Sequence, residues 1–153
     1  VTMATGSAMS PFWWAYADQL NDNVVTNQLR SLRMFTEKIP FSKLTGLKPV
    51  ESVNPGGHAF AISSDQLVFG WAVNANTDMS GKKVTINGLR NGQFRLKLYH
   101  TGSGRPIEVD GNAEPVIKAV KNSVSFTVPV QKIEGGHARY VGQDVAFILE
   151  PVD

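Results

Sequence analysis

The feature that most constrains this chain is a period of two that begins at Gly57 and runs to its end. His58–Ile62 alternates, Leu67–Val73 is a continuous apolar run, and Lys83–Asn87, Gln93–Tyr99, Val116–Val120, Val124–Val128 and Val145–Leu149 follow. Side chains alternate across a strand, so Phe94, Leu96 and Leu98 share one face while Arg95 and Lys97 share the other. The connections carry turn chemistry: Ser64-Asp65, Asn87-Gly88, Asn91-Gly92, Gly102-Ser-Gly104, Asp110-Gly111 and Gly135-Gly136. Seven or eight short strands punctuated this way predict an antiparallel β-sandwich. Its expected core is Phe60, Ile62, Val68, Trp71, Val84, Phe94, Leu96, Val124, Phe126, Phe147 and Leu149.

Upstream of Gly46 the pattern is different. Residues 1–46 hold six of the 14 aromatic residues, four of them in Phe12-Trp13-Trp14-Ala15-Tyr16, whereas the later part holds most of the glycines. Ser10-Pro11 reads as a helix start, with Ser as N-cap and Pro at the first helical position. Phe12, Trp13, Tyr16 and Leu20 then predict a short helix over 11–19. Val24, Val25, Leu29, Leu32, Phe35 and Ile39 form one apolar stripe, with Thr26, Asn27, Arg30, Arg33 and Glu37 largely opposite. This spacing predicts an amphipathic helix over 23–38, ended by Pro40.

Composition removes several function classes. The 153 residues include no cysteine, which excludes disulfides, thiolate metal sites and a cysteine nucleophile. Fifteen Lys and Arg oppose 13 Asp and Glu with no basic cluster, so neither nucleic acid nor membrane insertion is expected. Nothing in the sequence reads as a signal peptide. His58, His100 and His137 stand at no metal-ligand spacing. No Gly-x-Ser-x-Gly elbow occurs. Glu108 and Asp110 form an i, i+2 acidic pair of the kind that solvates a strand face. The run from Asn74 to Asp78 has oxygen ligands at alternate positions but lacks the central Gly and distal Glu of a calcium loop. No cofactor or metal is therefore implied. The paired tryptophans stand out: Trp13, Trp14 and Tyr16 either pack their helix onto the rest of the chain or form an aromatic platform for a sugar ring.

Taken together, two stretches carry a resemblance. Ser10-Pro-Phe-Trp-Trp-Ala-Tyr-Ala-Asp-Gln-Leu20, continuing through Leu29–Phe35 to Ile39-Pro-Phe41, resembles the end of a bacterial (β/α)8-barrel glycoside hydrolase. There the last strand leads into a Trp-Trp loop, and a final helix ends in an Ile-Pro-aromatic exit. Leu67–Val73, Val84–Leu89 and Phe94–Pro106 resemble the small C-terminal β-sandwich that follows the barrel, a module some descriptions call a collagen-binding domain. The resemblance implies two parts: residues 1–46 as the last strand, loop and helix of the barrel, and residues 47–153 as the accessory sandwich. It also implies a mainly β fold, an immunoglobulin-like sandwich preceded by a short helical segment. The opening Val in place of Met fits a barrel lying upstream.

Catalytic carboxylates of such barrels sit at earlier strand ends, so no catalytic residue carries over. Trp13, Trp14 and Tyr16 carry over as substrate-binding candidates, since active sites of these barrels lie at the C-terminal strand ends. The implied function is a structural accessory domain of a secreted glycoside hydrolase, extracytoplasmic and non-catalytic by itself. Its expected partner is the upstream barrel, with carbohydrate as a second. The alternative is a freestanding β-sandwich that binds carbohydrate or extracellular protein. An intact small hydrolase is disfavoured, because no nucleophile–base or metal set is present.

Overall fold

A computed structural model describes residues 23–74, 78–130 and 144–152. The 11–19 helix and the Gly135-Gly136 turn lie outside the described residues. The chain enters through a helix, α1 (Asn23–Thr36), and a single 3-10 turn at Phe41–Lys43. Among the described residues ten strands follow: β1 (Lys48–Val50), β2 (Ser52–Val53), β3 (His58–Ser63), β4 (Val68–Val73), β5 (Lys83–Asn87), β6 (Gly92–Tyr99), β7 (Pro106–Ile107), β8 (Val116–Ala119), β9 (Ser123–Thr127) and β10 (Asp144–Val152). The protein is mainly β, an antiparallel sandwich preceded by a short helix, as the alternation predicts.

The larger sheet runs β1-β3-β4-β10-β6, with β7 and β8 both pairing along β6; the smaller sheet is β2-β5-β9. Every strand pair is antiparallel. Strand β10 sits at the centre, held by β4 on one side and β6 on the other. The alternation misses β1, β2 and β7. They are two or three residues long, too short for a period of two to register, and Pro49 and Pro106 sit within them. Proline is tolerated there because these strands lie at sheet edges. Between β1 and β2 the chain passes from one sheet to the other within a single residue, Glu51.

Two hairpin turns need left-handed backbone. Asp110 and Gly111 have φ of 51° and 77° beneath the Val109–Asn112 bridge, as expected for an Asp-Gly turn. Lys121 and Asn122 adopt φ of 53° and 61° between β8 and β9, where Lys has no such preference.

The inter-sheet core contains Val68, Phe94, Leu96, Leu98, Val145, Phe147 and Leu149 from the larger sheet, and Val84, Ile86, Val124 and Phe126 from the smaller. The rings of Phe126 and Phe147 meet across it at 5.3 Å. Eight of the eleven expected core residues are buried. Phe60, Ile62 and Trp71 are the corrections: they are only half-buried and lie on the outer face of the larger sheet. The reason is volume. Opposite them in the alternation, Ala61, Gly70 and Ala72 face inward, and the Phe147 ring fills the room they leave. A Cβ on Gly70 would stand 2.4 Å from Phe147 Cζ and 2.2 Å from the Phe60 carbonyl oxygen. Small residues inward and large ones outward reverse the usual reading of this strand pair.

The large outward residues require a second apolar layer, and the end of α1 supplies it. Ile39 and Leu44 are buried with Leu67, Phe69, Tyr99, Ala146 and Ile148, and Phe35, Ile62 and Trp71 pack against them. Helix hydrogen bonding tightens after Thr36: Lys38 N–H donates to Phe35 and Ile39 N–H to Thr36, both i to i−3. The helix therefore ends two residues before the expected position 38, and Pro40 then turns the chain so that Phe41 meets Phe69 edge-on at 5.6 Å.

Candidate functional site

The candidate surface is the outer face of the larger sheet, and the strand register arranges it in rows. Ile62, Phe69 and Ile148 form one row. Phe60, Trp71, Ala146 and Tyr99 form the next, and His58, Val73 and Asp144 the third. The first row lies under the Ile39–Leu44 exit. At the second, Phe35 meets Tyr99 edge-on at 5.5 Å. Further along the same helix Ser31 Oγ donates to the Gly102 carbonyl at 2.9 Å. Gly104, with φ of 68°, lets the 100–104 turn pass directly under Met34, where a Cβ would come within 2.9 Å.

Beyond the helix the face is aromatic. Phe60 and Trp71 are directly paired across β3 and β4; their centroids lie 6.1 Å apart and their planes 16° apart. His58 continues the strip at 6.4 Å from Phe60, with a 24° interplanar angle. Phe60 belongs to neither apolar cluster, and His58 is exposed. Trp71 is held in orientation, because its Nε1–H donates to Asp144 Oδ2 at 3.0 Å. Thr101 donates its hydroxyl to the other oxygen, Asp144 Oδ1. Burial pushes the Asp144 carboxyl above its ordinary range, while the Thr101 and Trp71 donors and the positive field of His100 pull against that rise. Both oxygens of this carboxylate are engaged by donors, and the Trp71 contact holds the indole ring in place.

Next to this strip the outer face becomes ionic. Lys97 Nζ lies 2.9 Å from Glu150 and 3.6 Å from Glu114, and Arg95 bridges the same two carboxylates at 3.9 and 3.6 Å. Burial alone would lower the Lys97 pKa, but the Glu150 hydrogen bond and the two carboxylate fields raise it overall. These half-exposed pairs run across β6 and β10, and each contributes little stability.

The sequence candidates are placed as follows. Trp13, Trp14 and Tyr16 lie outside the described residues, and so does His137. Glu108 is exposed, and Asp110 occupies its hairpin turn. His100 Nδ1 lies 3.0 Å from Ser103 Oγ, a contact inside one turn. In the calcium-like run Asn74 is buried, Asp78 Oδ1 accepts from Ser80 N–H and Oγ–H, and 75–77 lie outside the described residues. Among the described residues no group of three His, Cys, Asp or Glu could hold a metal ion. The aromatic strip went unread because Trp71 sits in an apolar run that reads as core. The available signal was the set of small residues at 59, 61, 70 and 72, which marks the opposite face as the crowded one.

No protein-family model matches the chain. No curated protein matches it either. A solved structure described as "Glycoside hydrolase" is similar over 94% of this chain, at 16% sequence identity and a TM-score of 0.45. The chain spans 30% of the length of that protein. At that identity and score no functional residue is carried across from it.

Proposed function

We propose that the chain is a non-catalytic accessory β-sandwich of a secreted glycoside hydrolase, docked to an upstream barrel through α1 and contacting glycan. The observation that carries this reading is that α1 buries only part of its apolar stripe on the sandwich. On one side Ser31, Phe35 and the following Ile39 seat on the sandwich. On the other, Leu29 and Leu32 are 36% and 45% exposed in the folded chain. An amphipathic helix keeps such leucines in water only at a cost, and a second apolar body removes it. The resemblance of 10–41 to a final barrel helix and exit supplies the identity of that body. In this reading the residues between Ile39 and Leu44 are a joint, built into the sandwich on one side and continuous with the barrel on the other.

The test uses the longest product of the reading frame that encodes this chain. It should contain a barrel and hydrolyse glycosides. Leu29→Glu with Leu32→Glu should accelerate proteolytic cleavage near residue 23 in that product, while leaving the melting temperature of the 153-residue chain within about 2 °C. A reading frame that encodes no barrel, or unchanged cleavage in the double variant, overturns the docking reading.

A further inference from the structure

At the end of the sandwich away from the 100–104 turn, where β5 runs into β6, the two sheets part to leave a cleft of about 590 Å³. That volume falls within the roughly 300–1,000 Å³ of small-ligand sites. Its floor is mixed: the edges of Leu67, Val68, Leu89 and Phe94, all at least nine-tenths buried, reach it beside Ser63, Gly88 and Pro151. Its rim carries Lys48, Arg90 and Asp65. Asp65 is occupied, its Oδ2 accepting the Thr45 hydroxyl at 2.8 Å. The Ser64 hydroxyl is engaged inside its own turn, accepting from Leu67 N–H at 3.0 Å. Among the described residues Lys48 and Arg90 meet no carboxylate within ion-pair distance. Asp65 keeps its charge, so the rim carries two cations and one carboxylate, a net charge of +1, with Lys48 and Arg90 the groups left to meet an anion.

We propose that this cleft binds an acidic saccharide, a sugar ring with a carboxylate or sulfate on its edge. This rests on the glycan-contacting reading above and names the kind of sugar. A floor of mixed apolar edges and backbone suits a pyranose ring, which carries C–H faces and polar rims, as it suits other amphipathic ligands. The two cations supply charge-assisted hydrogen bonds to the anion, with the Arg90 fork suited to two oxygens at once. A neutral sugar would leave both cations without the anion that selects for them.

The experiment is calorimetric titration of the chain, with amide chemical-shift mapping, against three short oligosaccharides: a galacturonate trimer, a sulfated galactan trimer and a neutral galactan trimer. The galacturonate trimer or the sulfated trimer should bind and the neutral one should not, with shifts centred on Lys48, Leu89 and Arg90. The stronger of the two acidic ligands identifies the anion. Lys48→Ala and Arg90→Ala should each weaken binding about ten- to hundredfold, from the size of a charge-assisted hydrogen bond. Lys83→Ala with Arg105→Ala removes two positive charges, one more than either cleft variant, at the opposite end of β5 and β6 and should leave binding unchanged. Three outcomes overturn the proposal: no acidic trimer binds at about 10 mM, the neutral trimer binds equally, or the distant double variant weakens binding as much as the cleft variants. None of these touches the docking of α1, which the proteolysis experiment reads separately.

Discussion

Replacing Ile39 with Ala tests whether the helix exit is a structural part of the sandwich. Ile39 is 4% exposed and packs with Phe69, Tyr99 and Ile148 on the outer face. The change removes three buried carbon groups, at about 0.8 kcal/mol each, which gives about 2.4 kcal/mol from transfer alone. The cavity left between the exit and the sheet adds to this, so a loss of about 2–5 kcal/mol is expected. A loss of about 3 kcal/mol corresponds to about 6–12 °C in melting temperature for a chain of this length. Leu32→Ala, at a residue 45% exposed, should change stability by no more than about 0.5 kcal/mol. Urea titrations followed by circular dichroism at strand wavelengths read both variants. A loss below about 1 kcal/mol for Ile39→Ala, with an unchanged denaturant slope, would refute the reasoning, because the sandwich would then be indifferent to the segment that covers it.

Three further perturbations check other parts of the account. Gly70→Ala should destabilise the fold by about 2 kcal/mol or more, since its Cβ would stand 2.4 Å from Phe147 and 2.2 Å from the Phe60 carbonyl; a neutral thermal melt would contradict this. Phe94→Ala should cost about 3–5 kcal/mol and Phe60→Ala much less, so near-equal losses in denaturant titration would reverse the face assignment. Asp144 titrates above its ordinary value of 3.8, so the folded chain takes up this proton at higher pH than the unfolded chain does. The stability this group contributes is therefore full below 3.8 and is lost as pH rises through the folded value. Asp144→Asn has no such proton, so wild type should gain on the variant as pH falls toward 3.8; denaturant midpoints across that range should show this, and the opposite trend would contradict the assignment.

The strands were legible because one property repeats along each of them. Phe94, Leu96 and Leu98 against Arg95 and Lys97 leave no doubt about period or face, and β6 folds accordingly. Strand β3 has the same period but gives the wrong face, because periodicity says that sides differ and not which side is in. Gly70 and Phe147 decide the question, and they are 77 positions apart in the 153-residue chain, a distance no local pattern spans. The helix was readable from its stripe, yet only part of the stripe is covered: Phe35 and Ile39 pack on the sheet, whereas Leu29 and Leu32 stay partly exposed. The aromatic strip and the cleft were hidden for a related reason. Each is assembled from residues that look ordinary singly, and it takes the strand register to bring His58, Phe60 and Trp71 together, or Lys48 and Arg90 to one rim.

The most direct test of the central claim is hydrolysis of a panel of chromogenic glycosides by the 153-residue chain and by the longest product of its reading frame. Retaining and inverting hydrolases need an acid and a second carboxylate about 5–9.5 Å apart. Glu108, Asp110 and Glu114 are the carboxylates to replace: Glu108 is exposed just after β7, Asp110 lies in its hairpin turn, and Glu114 shares Arg95 and Lys97 with Glu150. The account predicts no turnover by the chain alone and clear turnover by the longer product. Turnover by the chain that disappears on replacing a single one of those three carboxylates would contradict it and make this sandwich an enzyme in its own right.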